Sequence, residues 1–161
     1  MSDKKELYIV DDSADHRFLV QSIFTKFLPE YPVRFFTGGE DLYNFLILQS
    51  GDDYNGNYPG LIVLDLRMPL FNGYELLKLL RKTPDNKHIQ WKTLPIIIMT
   101  GDETPQDVTL CYQAGANSFL TKPIEFQDLR TTLETICHYW LDFNRLPSAK
   151  EAEKINDTTI I

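Results

Sequence analysis

Four apolar runs in this chain stop at residues that can do chemistry. The run 7–10 ends in Asp11 and Asp12, 61–64 in Asp65 and 96–99 in Thr100, while Lys122 follows 118–120 closely. Adjacent carboxylates repel: at 4 Å two unit charges cost roughly 1 kcal/mol in water and about 4 kcal/mol at the effective dielectric of a protein surface. If the four run ends meet, three carboxylates exceed what one lysine balances, and a further cation is needed. Hard oxygen ligands with partial hydration suit Mg²⁺ better than zinc or copper.

The elements that must position these residues follow from the hydrophobic pattern. Runs 7–10, 33–36, 61–64, 96–99 and 118–120 are short, rich in β-branched or aromatic residues and bounded by polar or glycine positions, so they read as five strands. The third and fourth are so uniformly apolar that both faces must be covered. Helical stripes alternate with them. Leu19, Ile23, Phe24 and Phe27 form the first, Leu42, Phe45 and Leu46 the second, Leu76, Leu77 and Leu80 the third, and Val108, Cys111 and Tyr112 the fourth. The clearest stripe is the last, with Leu129, Leu133, Ile136, Cys137, Trp140 and Leu141. Strand and helix in alternation predict an α/β fold, a parallel sheet covered on both faces, because parallel neighbours need crossover connections. Open parallel sheets bind ligands at the carboxyl ends of their strands, which is where the polar residues fall.

Each of these residues also has a plainer reading. Asp12 or Ser13 suits a helix N-cap, Asp65 a turn, Thr100 a cap, and Lys122 before Pro123 a solvated charge. Gly38 and Gly39 read as turn residues, since neither GxGxxG nor GxxxxGK is present. Taken singly the plain readings win, but they leave unexplained why the polar residues fall together at successive strand ends.

Bulk properties narrow the function classes. A length of 161 residues suits one domain, and 43% hydrophobic with 24% charged residues is a globular balance. No apolar run approaches the roughly 18 residues of a membrane span, and the opening "MSDKKELYIVDDS" lacks a signal-peptide core, so a cytoplasmic protein is expected. A net charge of −7 without a Lys/Arg cluster argues against a nucleic-acid surface. Cys111 and Cys137 lie in helical patterns without CxxC or zinc spacing and read as buried free thiols. The connections 49–60 and 83–94 read as surface insertions. Residues 1–141 are expected to form the domain and 142–161 a polar tail too short for an effector domain.

Four segments, "IVDDS", "LIVLDLRMPLFNG" with its D-x-x-M-P-x-x-x-G form, "IIIMTG" and "AGANSFLTKP", occur in order on the expected elements. On these the chain resembles the receiver domain of bacterial response regulators, over about residues 7–140. The resemblance implies a flavodoxin-like (βα)5 three-layer sandwich with strand order 2-1-3-4-5. It makes Asp65 the acceptor of a phosphoryl group from a histidine of a sensor kinase. Asp12 and Asp65 would hold Mg²⁺, with Asp11 through a water and the backbone carbonyl of Arg67 completing the protein ligands. Lys122 and the Thr100 hydroxyl would meet the phosphoryl oxygens, and a cis bond to Pro123 would aim Lys122. Thr100 and Phe119 would form a switch that alters the fourth and fifth strands and the helices after them.

Such a domain signals to a downstream protein or passes phosphate onward, and is not a turnover enzyme. Arg67 and Asp102 are expected to pair across the pocket mouth and slow attack by water. The two insertions and the ending "ICHYWLDFNRLP" resemble the subset paired with bacterial phytochrome kinases, where Tyr139, Trp140 and Phe143 could help form a homodimer. A haloacid-type phosphatase would need D-x-D, but Asp65 is followed by Leu66 and Arg67. A cysteine phosphatase would need arginine where Asn117 stands. The remaining alternative is a receiver-like binding module that never takes phosphate; it would be marked by loss of an acidic, Thr or Lys position, and none is lost.

Overall fold

A computed structural model describes residues 5–148, 151 and 154–155 of the chain. Five strands, β1 (Glu6–Val10), β2 (Val33–Phe36), β3 (Pro59–Leu64), β4 (Ile96–Thr100) and β5 (Ser118–Thr121), alternate with α1 (Ala14–Phe27), α2 (Gly39–Gln49), α3 (Gly73–Lys82), α4 (Pro105–Gln113) and α5 (Phe126–Cys137). The sheet is wholly parallel, in the order β2-β1-β3-β4-β5. Both the five expected strands and the order implied by the family resemblance are therefore present.

The period-2 alternation of the strands builds the two faces. Leu7, Ile9, Leu61, Val63, Ile97 and Met99 point one way, into a cluster closed by Val20, Ile23 and Phe24 of α1 and Leu129, Leu133 and Ile136 of α5. The intervening Tyr8, Val10, Ile62, Leu64, Ile96 and Ile98 point the other way, onto Leu42 of α2, Leu76, Leu77 and Leu80 of α3 and Cys111 of α4. Every residue of β1, β3 and β4 is buried, which is why those sequences carry apolar side chains at both parities. Cys111 and Cys137 are buried free thiols, as expected. No helix among the described residues is long and apolar enough to cross a membrane.

The ladder continues past the strand ends, and this places the polar residues. Val10 pairs with Leu64, and the Asp65 N–H donates to the Val10 carbonyl at 2.9 Å, while the Asp11 N–H donates to Phe36 at 3.1 Å. On the far side Thr100 pairs with Thr121, and the Lys122 N–H donates to the Thr100 carbonyl at 2.8 Å. Main-chain bonds thus set Asp11, Asp65, Thr100 and Lys122 along one edge. Side-chain caps start the helices just beyond it: Ser13 accepts from the His16 N–H, Asn72 from Glu75, and Thr104 and Asp107 form a reciprocal capping box. Gly73 has no room for a side chain, because a Cβ there would lie 2.3 Å from the Asp65 carbonyl oxygen. Leu70, in the same β3–α3 loop, has a left-handed backbone (φ 69°) and is fully exposed.

Three expectations are corrected. No peptide bond among the described residues is cis, so the bond to Pro123 is trans, the form that X–Pro bonds favour by about 0.5–1 kcal/mol. The connections 49–60 and 83–94 are not merely superficial: Gln49, Ile89, Trp91 and Leu94 are buried. Tyr58 and His88 stack at 4.4 Å between the two segments, and Gln49 donates to the buried Tyr8 hydroxyl. Lastly, the final stripe does not stay α-helical to Leu141, since a π-helical turn, His138–Phe143, takes over after Cys137. The wider turn lets Trp140 and Leu141 still pack on the α1/α5 core while Asp142 accepts from the Tyr31 hydroxyl. The tail expected from residue 142 falls outside the described residues at 149–150, 152–153 and 156–161.

Arg81 ties the second insertion down. Its Nε and Nη2 donate to the Gly115 carbonyl at 2.9 and 2.7 Å, Nη2 also reaches Asn117 Oδ1 at 2.8 Å, and Nη1 reaches the carbonyls of Trp91 and Leu94 at 2.7 Å each. Burial pulls its pKa below the ordinary arginine value. Asn117 in turn accepts from the Ile96 N–H, so one guanidinium joins α3, the insertion and the start of β4 and β5. Arg81→Met leaves several inward carbonyls unpaired and is expected to cost about 3 kcal/mol, read as a lower urea midpoint with an unchanged slope. Arg81→Lys should restore little of it, because an ammonium cannot fill the planar fork.

Candidate functional site

Carboxylate oxygens of Asp11, Asp12 and Asp65 all lie within 4.8 Å of one another at the carboxyl edge of the sheet. Asp11 and Asp65 are buried and Asp12 is exposed. Lys122 reaches both buried members, with Nζ at 3.0 Å from Asp11 Oδ2 and 3.0 Å from Asp65 Oδ2. Three of the four expected strand-end segments thus deliver their charged groups to one point.

The three carboxylates are treated differently by their surroundings. Burial pushes the Asp11 carboxyl up, but hydrogen bonds from the His16 ring, the Ser13 amide and Lys122 outweigh it and bring its pKa down to about 2. For Asp65 burial wins: with the charge of Asp11 added, it holds the carboxyl above the ordinary range despite the opposing pull of Lys122. Burial would lower the pKa of Lys122, yet Asp11 and Asp65 together raise it, so its ammonium is secure at neutral pH. Asp12 makes no hydrogen bond or ion pair among the described residues. An all-oxygen donor set with one uncompensated member and one carboxylate disfavoured by burial suits a hard divalent cation. Mg²⁺ fits the residues present.

Thr100 is buried at the next strand end, but its hydroxyl lies 3.5 Å from the backbone nitrogen and oxygen of Asp102 and bonds to neither Asp65 nor Lys122. Phe119 is partly buried and packs on the α2/α3/α4 core from β5. Arg67 presents its N–H to Asp65 Oδ1 at 3.3 Å while its side chain crosses the pocket mouth. The expected partner there is corrected: Arg67 pairs with the carboxylate of Asp107, the residue of the α4 capping box, and touches Asp102 only at its carbonyl, at 3.3 Å. Asp107 wins because the cap already turns its carboxylate toward the helix N-terminus.

Sequence reasoning missed His16 and Arg17. His16 Nδ1 lies 2.7 Å from Asp11 Oδ2, and Arg17 donates to the Asp11 carbonyl at 2.7 Å. Their signal was positional: with Ser13 as N-cap, the first turn of α1 folds back over the end of β1. Ser13 meets both readings, capping α1 with its hydroxyl and holding Asp11 Oδ1 with its N–H at 2.9 Å.

Known proteins resemble this chain in sequence and fold. Response regulator Rcp1 of Synechocystis is 31% identical over 145 residues, covering 90% of this chain and 95% of that protein. The probable methanogenesis regulatory protein FilR2 of Methanothrix harundinacea is 28% identical, covering 88% and 86%. Among solved structures, the Mn²⁺-bound form of Rcp1 superposes with a TM-score of 0.73 at 29% identity, over 89% of this chain and 99% of that one. The phosphorylated cyanobacterial phytochrome response regulator RcpA gives 0.73 at 26%, over 90% and 99%. The family model for the response regulator receiver domain matches residues 7–134, the stretch that carries both the sheet and the acidic cluster. With that match on the same fold, this chain belongs to the response regulator receiver domain family.

Proposed function

We propose that Asp65 accepts a phosphoryl group from a phosphohistidine of a sensor kinase, and that the resulting acyl phosphate signals to a protein partner. The carrying observation is that Asp11, Asp12, Asp65 and Lys122 converge at the strand ends, where Lys122 touches both buried carboxylates and Asp65 lies clear of the Ser13 and His16 donors that occupy Asp11. In the transfer the P–N bond of the phosphohistidine breaks as the bond from an Asp65 carboxylate oxygen to phosphorus forms. Catalysis of such a step rests on positioning and charge neutralisation. Lys122 supplies an ammonium beside the acceptor oxygen, and the Arg67 N–H holds the other oxygen. Mg²⁺, held by Asp12, Asp65 and the Arg67 carbonyl with Asp11 through a water, would neutralise charge on the transferred oxygens when bound.

In this reading Thr100 and Phe119 carry the response outward. The Thr100 hydroxyl is free to leave its long contacts with Asp102 for a phosphoryl oxygen, and Phe119, only partly buried on β5, is free to follow. The surface altered is that of β4, α4 and β5. Likeness to RcpA supports a phytochrome-type kinase as partner, and Tyr139 and Phe143, exposed on the π-helical turn beside the half-buried Trp140, are the residues for a homodimer contact. The cytoplasm is the compartment where such a kinase output would meet this chain. A binding module that takes no phosphate is the rival reading; retention of all three aspartates, Thr100 and Lys122 speaks against it.

Incubation with acetyl phosphate and Mg²⁺ is expected to add one phosphoryl mass to the intact chain, and Asp65→Asn to add none. No gain on the wild type, or a gain surviving Asp65→Asn, would sink the assignment. Mg²⁺ at a hundred times its dissociation constant should stabilise the fold by about 2.7 kcal/mol, raising the melting midpoint by roughly 5–10 °C. Asp12→Asn and Asp65→Asn should each lose most of that rise in differential scanning calorimetry. Removing the Arg67 side chain opens the pocket mouth, so Arg67→Ala should shorten the acyl-phosphate lifetime several-fold when loss of the phosphoryl mass is timed.

A further inference from the structure

The first turn of α1 does more to Asp11 than cap a helix. Asp11 Oδ1 accepts the Ser13 N–H at 2.9 Å; Oδ2 accepts both His16 Nδ1 at 2.7 Å and Lys122 Nζ at 3.0 Å; and its carbonyl accepts Arg17 at 2.7 Å. An ionised carboxylate only accepts, so the proton of this contact sits on His16 Nδ1. The other ring nitrogen, Nε2, is buried and has no partner among the described residues, so the imidazole is committed to Asp11 alone. Lys122 is not so committed, because it is shared with Asp65.

We propose that His16 is a positioning residue, fixing the Asp11 carboxylate so that it can serve the divalent cation from behind the direct ligands Asp12 and Asp65 once Lys122 turns to the phosphoryl group. The inference rests on the metal and phosphoryl reading above. Both Asp11 oxygens are already engaged by protein donors, which leaves exposed Asp12 as the free ligand and Asp11 as an oriented acceptor for a metal-bound water. Without His16, Lys122 is the only side chain among the described residues that holds the Asp11 carboxylate, and the two demands on that ammonium compete. Removing an outer partner of a metal site costs about 10- to 100-fold in metal affinity.

The test compares wild type, H16L and H16N. Leucine has the branching of asparagine but no donor, whereas the asparagine amide nitrogen stands close to where Nδ1 was. In calorimetric titration with Mg²⁺, H16L is expected to bind about tenfold more weakly and H16N within about threefold of wild type. In phosphorylation by acetyl phosphate, the Mg²⁺ concentration giving half the maximal rate should rise by the same factor in H16L, with the plateau rate near that of wild type. Equal Mg²⁺ affinity in wild type and H16L, or an equal loss in H16L and H16N, overturns the positioning role while leaving the phosphoacceptor reading standing. A wild type that takes up no Mg²⁺ overturns both. Should H16L fail to fold, long-range ¹H–¹⁵N spectra of the wild-type imidazole decide: an Nδ1–H tautomer is expected, and an Nε2–H tautomer refutes the proposal.

Discussion

Charge crowding at one edge of the sheet governs this molecule. Three carboxylates within 4.8 Å of one another face a single ammonium, and two of the three are out of water. In such a place Coulomb energies grow as the effective dielectric falls, so the arrangement persists only because the main chain imposes it. The Val10 carbonyl receives the Asp65 N–H, and the Thr100 carbonyl receives the Lys122 N–H, so parallel ladder geometry sets the spacing of the charged groups before any side chain is chosen. The fold holds together a set of charges that would otherwise separate, a tension that a divalent cation would relieve and that an added anionic group would sharpen.

The strands and their sidedness were legible in the sequence because alternation and full burial leave strong marks. Residues 61–64 and 96–99 could hardly be anything but inner strands, and once they were placed Asp65 and Thr100 fell at the ligand-binding edge. Less legible were features with no period. Ile89, Trp91 and Leu94 are three apolar residues in a polar stretch, and only Arg81, 34 and 36 residues from its partners Gly115 and Asn117, reveals that the stretch is docked. The π-helical turn after Cys137 preserved the apolar stripe well enough to pass for α-helix.

At the site itself, residue types were readable but orientations were not. Arg67 and Asp102 each lie two residues beyond a site residue, Asp65 and Thr100, which suggests a pair; the capping geometry of α4 gives the arginine to Asp107 instead. His16 was invisible for a similar reason. A histidine four residues beyond Asp12 carries no message until Ser13 is known to begin a helix that folds its first turn over the strand end.

Among the described residues, Arg81 is anchored by dipoles alone. All its bonds go to uncharged oxygens, four to main-chain carbonyls and one to an amide, with no acid across from it. Mobile ions weaken a contact between opposite full charges at the surface far more than a dry one between a cation and fixed dipoles. The seam joining α3, the 83–94 segment and the β4–β5 origin, part-buried and built on dipoles, is therefore less sensitive to ionic strength than the Arg67–Asp107 contact on the opposite rim, where the arginine is half open to solvent. Salt therefore acts unequally on the side-chain ties at the two ends of the domain.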